Sequence, residues 1–370
     1  MRKKEGMNPM RLLICAGGTG GGVYPALAVL QAEKTNDIDV LWVGSDDGIE
    51  KDLVKRAGIA YRGIPAAGLH GVNVFSLPGR LIKLGKGYLE ARKIIKDFKP
   101  DVMFFTGGYV GFPVAMAGKK VPSVLFVPDI EPGVALNALS KNADVITVVC
   151  KDSINFFKDP SKIKITGYPT RTDIRQWNRK DALEHFGLDD RLPVLFVFGG
   201  SKGARSINHA LMGNLAELTG RCQIIHITGS TDWEDMKSFY ESQPDDVKNR
   251  YKMFPYLHEE MGAAFSAADL IISRAGASTL GEFPLFGVPA ILVPYPYAWR
   301  YQKVNADYLV SKNAAILIKD EDLPGQMIPT VTDLLDDPEK LAAMKKSMEK
   351  LAMPEASANI LRILKETASK

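Results

Sequence analysis

Short apolar runs recur along the chain, each bounded by glycine, proline or polar turn residues. Residues 11–15 form the first, and it runs directly into Ala16-Gly-Gly-Thr-Gly-Gly-Gly22. Residues 24–33 then have helix-forming composition. Residues 40–43 read as the next strand, 47–57 as a helix, 102–105 as a strand before Thr106-Gly-Gly-Tyr-Val-Gly111, and 123–127 as another. A second series follows the turn-forming Gly167-Tyr-Pro-Thr-Arg171: a strand at 194–198 entering Gly199-Gly-Ser-Lys-Gly-Ala-Arg205, then strands at 223–228, 270–273 and 290–293. Continuous rather than alternating apolar runs mark strands buried on both faces, and their alternation with helices predicts parallel sheets. The expectation is an α/β protein of two Rossmann-like, doubly wound parallel-sheet domains. Its expected boundaries are a disordered extension over 1–9, a first domain over 10–168, a second over 169–350, and a C-terminal helix over 351–370 closing the structure.

Length agrees with two domains, since 370 residues exceed one core of ordinary size. Apolar residues at 46% and charged residues at 24% are those of a folding globular chain. Cys15, Cys150 and Cys222 lie far apart with no CxxC pair, which points to buried thiols in a reducing compartment rather than a disulfide or zinc framework. No apolar run approaches the roughly 20 residues of a membrane span, and the polar, basic residues 1–9 carry no signal-like apolar core. A formal charge of +4 is too small for its size to argue for nucleic acid as a partner.

A glycine-rich turn between strand and helix lets backbone approach a ligand closely and aims N–H groups, at the positive end of the helix dipole, toward an anion. Each such loop, alone, is also a plain tight turn. Several of them, following different strands in both halves, favour a phosphorylated ligand. In the second half, Gly200 to Gly203 with Ser201, Lys202 and Arg205 suits a pyrophosphate, although Arg205 can equally form an ion pair on its own helix. There is no GxxxxGK[ST], which excludes a P-loop. Farther on, Ser273-Arg-Ala-Gly-Ala-Ser-Thr279 leads into a helix carrying Glu282, a carboxylate suited to two ribose hydroxyls or simply to its own helix N-terminus. Gly44-Ser45-Asp46, after the second strand, can imitate the acidic ribose partner of a nicotinamide dehydrogenase, but that reading expects one dinucleotide site in one half.

Ala16-Gly-Gly-Thr-Gly-Gly with Pro25-Ala-Leu-Ala28, Gly107-Gly-Tyr-Val-Gly111, Gly199-Gly-Ser-Lys-Gly-Ala-Arg205, Arg274-Ala-Gly-Ala-Ser-Thr279 with Glu282, and Gln302 with Asn305 together resemble the MurG family. These are family 28 transferases that move N-acetylglucosamine from UDP-N-acetylglucosamine to undecaprenyl-diphospho-muramoyl-pentapeptide. The resemblance implies a GT-B fold, two Rossmann-like domains facing a cleft, and an inverting reaction with no bound metal or other cofactor. It places the donor in the second domain. Gly200, Ser201 and Gly203 would take the diphosphate; Ala277, Ser278 and Thr279 would lie along phosphates and sugar. Glu282 would hold the ribose, Gln302 would reach sugar hydroxyls, the backbone near His258 would read the uracil edge, and Arg171 would join the donor site. Gly18, Thr19, Gly20, Gly21, Gly107, Gly108 and Tyr109 would face the acceptor diphosphate.

Two departures fall on the acceptor side. The family's first loop ends in histidine where this chain has Gly22, and Phe126-Val-Pro-Asp-Ile-Glu-Pro-Gly133 stands where the family has a HEQN segment. The attacking hydroxyl still needs a general base. Asp129 is the favoured replacement, Glu131 the second and His70 a weaker third, against the alternative that both carboxylates are solvated loop residues. Between residues 72 and 99, Phe75, Leu77, Leu81, Ile82, Leu84, Tyr88 and Leu89 are interleaved with Arg80, Lys83, Lys86, Arg92, Lys93, Lys96 and Lys99. Residues 88–98 read either as a helix packed on the sheet or as one lying on a membrane, whereas 72–84, broken by Pro78, Gly79 and Gly85, are expected to be exposed. An anionic membrane surface is the expected partner, with the protein peripheral at the cytoplasmic face. Other readings are a related transferase with a different lipid acceptor and a UDP-sugar-binding paralogue without catalysis.

Overall fold

A computed structural model describes residues 9–17, 20–33, 37–48, 50–68, 77–200 and 202–370. The chain divides into two compact units, one running to Arg171 and recovering Pro354–Lys370, the other spanning Thr172–Met353.

In the first unit β1 (Met10–Cys15), α1 (Gly20–Gln31), β2 (Ile38–Ser45), α2 (Glu50–Arg56), β3 (Ala60–Ile64), α3 (Leu77–Phe98), β4 (Val102–Phe105), α4 (Gly111–Ala117), β5 (Ser123–Val127), α5 (Val134–Ser140), β6 (Val145–Val148) and β7 (Ile163–Ile165) alternate. All its strand pairs are parallel, in the order β3-β2-β1-β4-β5-β6-β7. The central strands β4 and β5 are buried at every position, as their unbroken apolar runs require. The edges differ: β3 alternates exposed and half-buried residues before the buried Ile64, and β7 is three residues long with two of them exposed. With a neighbour on one side only, such strands need no apolar run, so they leave no trace in the hydrophobic pattern.

The second unit contains α6 (Arg179–Phe186), β8 (Val194–Phe198), α7 (Arg205–Thr219), β9 (Gln223–Ile227), α8 (Trp233–Glu241), α9 (Asp245–Arg250), β10 (Tyr251–Phe254), α10 (Met261–Ala267), β11 (Leu270–Ser273), α11 (Thr279–Phe286), β12 (Ala290–Leu292), α12 (Trp299–Ser311), β13 (Ala315–Leu317), α13 (Leu323–Leu335) and α14 (Pro338–Glu349). Its parallel sheet runs β10-β9-β8-β11-β12-β13. Leu195, Val197, Ile224, Leu270, Ile272 and Ile291 of the strands pack with Ile207, Leu211 and Leu215 of α7 and with Met327 and Val331 of α13. The last helix, α15 (Ala356–Ala368), lies in the first unit, against α1, β4 and β5, with Lys365 paired to Glu33 at 2.5 Å.

The segment expected to be broken at Pro78, Gly79 and Gly85 is one continuous helix, α3. Pro78 falls in its first turn, where the missing N–H has no intrahelical partner to lose. Gly85 costs about 1 kcal/mol of propensity, which packing offsets. Gly87 is required, since a Cβ there would come within 3.0 Å of the Pro65 carbonyl. Leu84, Tyr88, Ile94, Ile95 and Phe98 are half-buried and Gly87 and Ala91 buried, at helical spacing, so this stripe faces the sheet. Leu81, Ile82 and Leu89 point elsewhere and are 53%, 63% and 63% exposed, beside exposed Lys86, Arg92, Lys93 and Lys96. Residues 72–76 lie outside the described residues. Among the described residues no helix is long and apolar enough to cross a membrane.

Candidate active site

Strand order reverses direction twice, once in each sheet: between β1 and β4, and between β8 and β11. In open α/β sheets ligands bind outside the carboxyl ends of the strands at such switch points. The loops leaving β1 and β4 are Ala16 onward and Thr106 onward; those leaving β8 and β11 are Gly199 onward and Arg274 onward. Every loop singled out for phosphate therefore opens at one of the two switch points.

In the first unit the two loops are pressed together. A Cβ on Gly108, where φ is +86°, would come within 3.0 Å of the Gly17 carbonyl, and Gly22 lies against Thr106 and Gly107. The buried Thr106 hydroxyl donates to the Gly22 carbonyl, and Trp42 Nε1 donates to the Ala16 carbonyl at 2.9 Å. Helix α1 begins at Gly20, earlier than its composition suggests, because Gly20 to Gly22 are taken up in its first turn. A Cβ at Gly22 is sterically tolerable, meeting the Thr106 carbonyl at 3.4 Å. Gly18, Thr19 and His70 lie outside the described residues; Gly21 is exposed and Tyr109 half-buried. The acidic residue beneath this loop is not Asp46 but Glu50. It is fully buried, accepts the Ser45 amide at 2.8 Å and fills the space that Gly17, Gly44 and Gly48 leave open.

Asp129 and Glu131 follow β5, the neighbour of β4. Asp129 is half-buried and Glu131 is buried, between buried Ile130 and Pro132. Glu131 is thus not the solvated loop carboxylate of the alternative reading.

In the second unit the loop after β8 is shaped by glycine. Gly200 and Gly203 have φ of +99° and +82°, Gly203 N–H donates to the Gly200 carbonyl at 2.9 Å, and a Cβ on Gly203 would come within 3.0 Å of the Thr228 carbonyl. Ser201 lies outside the described residues. Ala204 stands at the N-cap of α7 with no side-chain cap, and no acidic residue occupies the first turn. Arg205 pairs with Asp232, Nε to Oδ1 at 3.0 Å, while its side chain remains 67% exposed. Ser206 donates to Asp320 at 2.6 Å and receives Arg274 Nη2 at 2.8 Å. Arg274 also pairs with Asp320, donates to the Val293 carbonyl at 3.0 Å and lies over the Tyr295 ring. The first turn of α7 and the loops after β11, β12 and β13 are therefore tied around one guanidinium. Asp320 carries no sequence signal for this, because its partners Ser206 and Arg274 lie far away along the chain.

Thr279, expected along the phosphates, is buried and gives both amide and hydroxyl to the Gly276 carbonyl, at 3.1 and 2.7 Å, so it shapes the turn. Ala277, Ser278 and Glu282 are half-buried at the head of α11, with Glu282 in its first turn. Gln302 Oε1 accepts the Tyr295 amide at 2.8 Å, which orients the side chain and leaves its two N–H donors. Asn305 is buried and donates to the Ala275 carbonyl at 3.2 Å. The His258 amide donates to Glu260 at 3.1 Å, and the His258 ring lies 4.5 Å from that of Tyr256. Arg171 is half-buried and is the last residue of the first unit before the chain enters the second. Among the described residues no three His, Cys, Asp or Glu side chains gather as a metal-binding group.

Two family models match this chain: the glycosyltransferase family 28 N-terminal domain over residues 12–144 and the family 28 C-terminal domain over 194–360. A UDP-N-acetylglucosamine–N-acetylmuramyl-(pentapeptide) pyrophosphoryl-undecaprenol N-acetylglucosamine transferase of Desulforamulus reducens is 39% identical, over 96% of this chain and 98% of its own. The transferase of the same name from Halothermothrix orenii is 36% identical, over 97% and 99%. The crystal structure of Acinetobacter baumannii MurG superposes with a TM-score of 0.76 at 26% identity, covering 97% of this chain and all of that one. With both family domains in order and near-complete coverage by such relatives, the chain belongs to the MurG family of glycosyltransferase family 28 and has its GT-B fold.

Proposed function

We propose that this protein transfers N-acetylglucosamine from UDP-N-acetylglucosamine to a lipid-diphosphate-linked muramoyl-pentapeptide, a step of peptidoglycan precursor synthesis. The observation that carries the reading is the coincidence of near full-length identity to transferases of that name with phosphate-type loops at both switch points. In this reading the second unit binds the nucleotide sugar through the backbone of 199–203 and the head of α7, with Ala277 to Thr279, Glu282, Gln302, the His258 backbone and Arg171 completing the donor site. The first unit binds the acceptor diphosphate through the loops after β1 and β4.

The reaction inverts the anomeric centre. The acceptor hydroxyl attacks the anomeric carbon, the bond to the UDP oxygen breaks as the new glycosidic bond forms, and the hydroxyl proton passes to a base. Amides at the α7 N-terminus stabilise the charge developing on the departing diphosphate. No metal or cofactor takes part in this scheme. Asp129 is the base in place of the histidine that Gly22 lacks, with Glu131 the second candidate. The protein works as a peripheral protein at the cytoplasmic face of the membrane, docked on anionic lipid through Leu81, Ile82, Leu89 and the surrounding basic residues of α3; nucleic acid is not a partner.

UDP release that depends on a muramoyl lipid acceptor tests the reading, and release with no such dependence overturns it. Asp129→Asn lowers turnover at saturating donor by about 10²-fold or more; unchanged turnover removes Asp129 as the base. A second reading, transfer to a different lipid acceptor, is favoured by Gly22 and by the altered segment 126–133, and the same assay run across acceptors decides it.

A further inference from the structure

Beneath the candidate donor loop runs a chain of buried polar side chains that the proposed chemistry does not use. Tyr251, His226, Asn208 and Asp232 are 1%, 0%, 0% and 3% exposed. The Tyr251 hydroxyl lies 2.7 Å from His226 Nδ1, and His226 Nε2 lies 3.0 Å from Asn208 Oδ1. Asn208 Nδ2 donates to the Thr228 carbonyl and to Asp232 Oδ2, each at 2.9 Å, and Arg205 reaches the other Asp232 oxygen.

The partners fix the direction of every bond. With both Nδ2 hydrogens of Asn208 spent on acceptors, its Oδ1 must accept from His226 Nε2–H, and His226 Nδ1 must then accept the Tyr251 hydroxyl proton. Burial keeps the imidazole neutral, pushing it down to about 3. Every group has its partner, so the chain has one arrangement and resists displacement.

What it holds lies at the carboxyl ends of β8 and β9. The Thr228 carbonyl, anchored by Asn208, is the surface against which Gly203 is pressed, and Gly229 packs back onto Gly203 and Lys202. Asp232 fixes Arg205, the first residue of α7. Both ends of the turn 203–205 are thus set by the buried chain, and a shift of Thr228 or Asp232 moves the amides at the head of α7.

We propose that Tyr251, His226, Asn208 and Asp232 form a positioning unit for the donor's diphosphate, holding Gly203, Ala204 and the first turn of α7 in the shape that receives it. This rests on the reading that the second unit binds a UDP-sugar. None of the four touches the ligand; they act through backbone.

The test compares UDP with uridine, which lacks the phosphates, by titration calorimetry on the full chain. Asn208→Ala leaves the Thr228 carbonyl, Asp232 and His226 each short of a partner and weakens UDP binding by about tenfold while uridine changes less than about twofold. Asp232→Asn, nearly isosteric, gives the same selectivity with a loss of about threefold, and decides the matter should Asn208→Ala fail to fold. Equal weakening of UDP and uridine, or unchanged UDP affinity in a folded variant, overturns the proposal. Wild-type protein that binds UDP no more tightly than uridine refutes the donor reading itself, and this inference with it.

Discussion

Gly203 separates the two costs that a side chain meets in the loop after β8. Its φ of +82° disfavours any L-residue, by about 1–2 kcal/mol for alanine. Its Cβ would also fall within 3.0 Å of the Thr228 carbonyl, a backbone atom with no side-chain freedom to yield, which adds about 1–3 kcal/mol as an overpacked contact does. Gly200 carries the first cost alone, with φ of +99° and nothing within 4 Å of its Cβ. Gly276 carries neither, and there alanine gains about 0.4–1 kcal/mol by restricting the unfolded chain. For a unit of this size about 1 kcal/mol corresponds to roughly 2–4 °C. Gly203→Ala should therefore lower Tm by about 4–20 °C and Gly200→Ala by about 2–8 °C, while Gly276→Ala leaves it unchanged or raises it slightly. Differential scanning calorimetry of the three variants reads this, and the transition that UDP raises identifies the second unit. A Gly203→Ala protein melting no lower than Gly200→Ala refutes the claim that the loop is pressed on Thr228.

The exposed apolar face of α3 predicts that Leu81→Glu with Ile82→Glu abolishes sedimentation with anionic vesicles at low salt, while Tm moves by no more than about 4 °C because neither side chain is in the core; co-sedimentation and a thermal scan read both. His226 predicts an acid-sensitive fold. Its imidazole is pushed down to about 3, against about 6.5 in the unfolded chain, so between these values the unfolded state holds the extra proton. Stability is full above about pH 6.5 and falls by up to about 1.4 kcal/mol per unit below it. Urea unfolding should give a loss of roughly 2 kcal/mol from pH 7 to pH 5; equal stabilities would refute it.

The resemblance to the family was legible because its motifs are local: each glycine cluster sits within a few residues of its strand. So were the central strands, whose burial on both faces forces unbroken apolar runs such as residues 194–198. The edge strands β3 and β7 were not, since one exposed side removes that demand. The C-terminal helix read as closing the structure without saying on which unit, because an amphipathic stripe specifies that a face is buried but not against what.

By itself, then, the sequence determined the class of the fold, the family, and where the glycine-rich loops fall, all of which follow from patterns a few residues wide. Tertiary structure decided what depends on residues remote in the chain. It brought the phosphate-type loops to two switch points and pressed Gly108 onto Gly17. It buried Glu131, left Leu81 and Ile82 outside, and set Asn208, His226, Asp232 and Tyr251 in one polar chain. The reason is physical: strand order and side-chain pairing are chosen by the total burial and hydrogen bonding of the packed unit, a sum over distant residues that no local pattern contains.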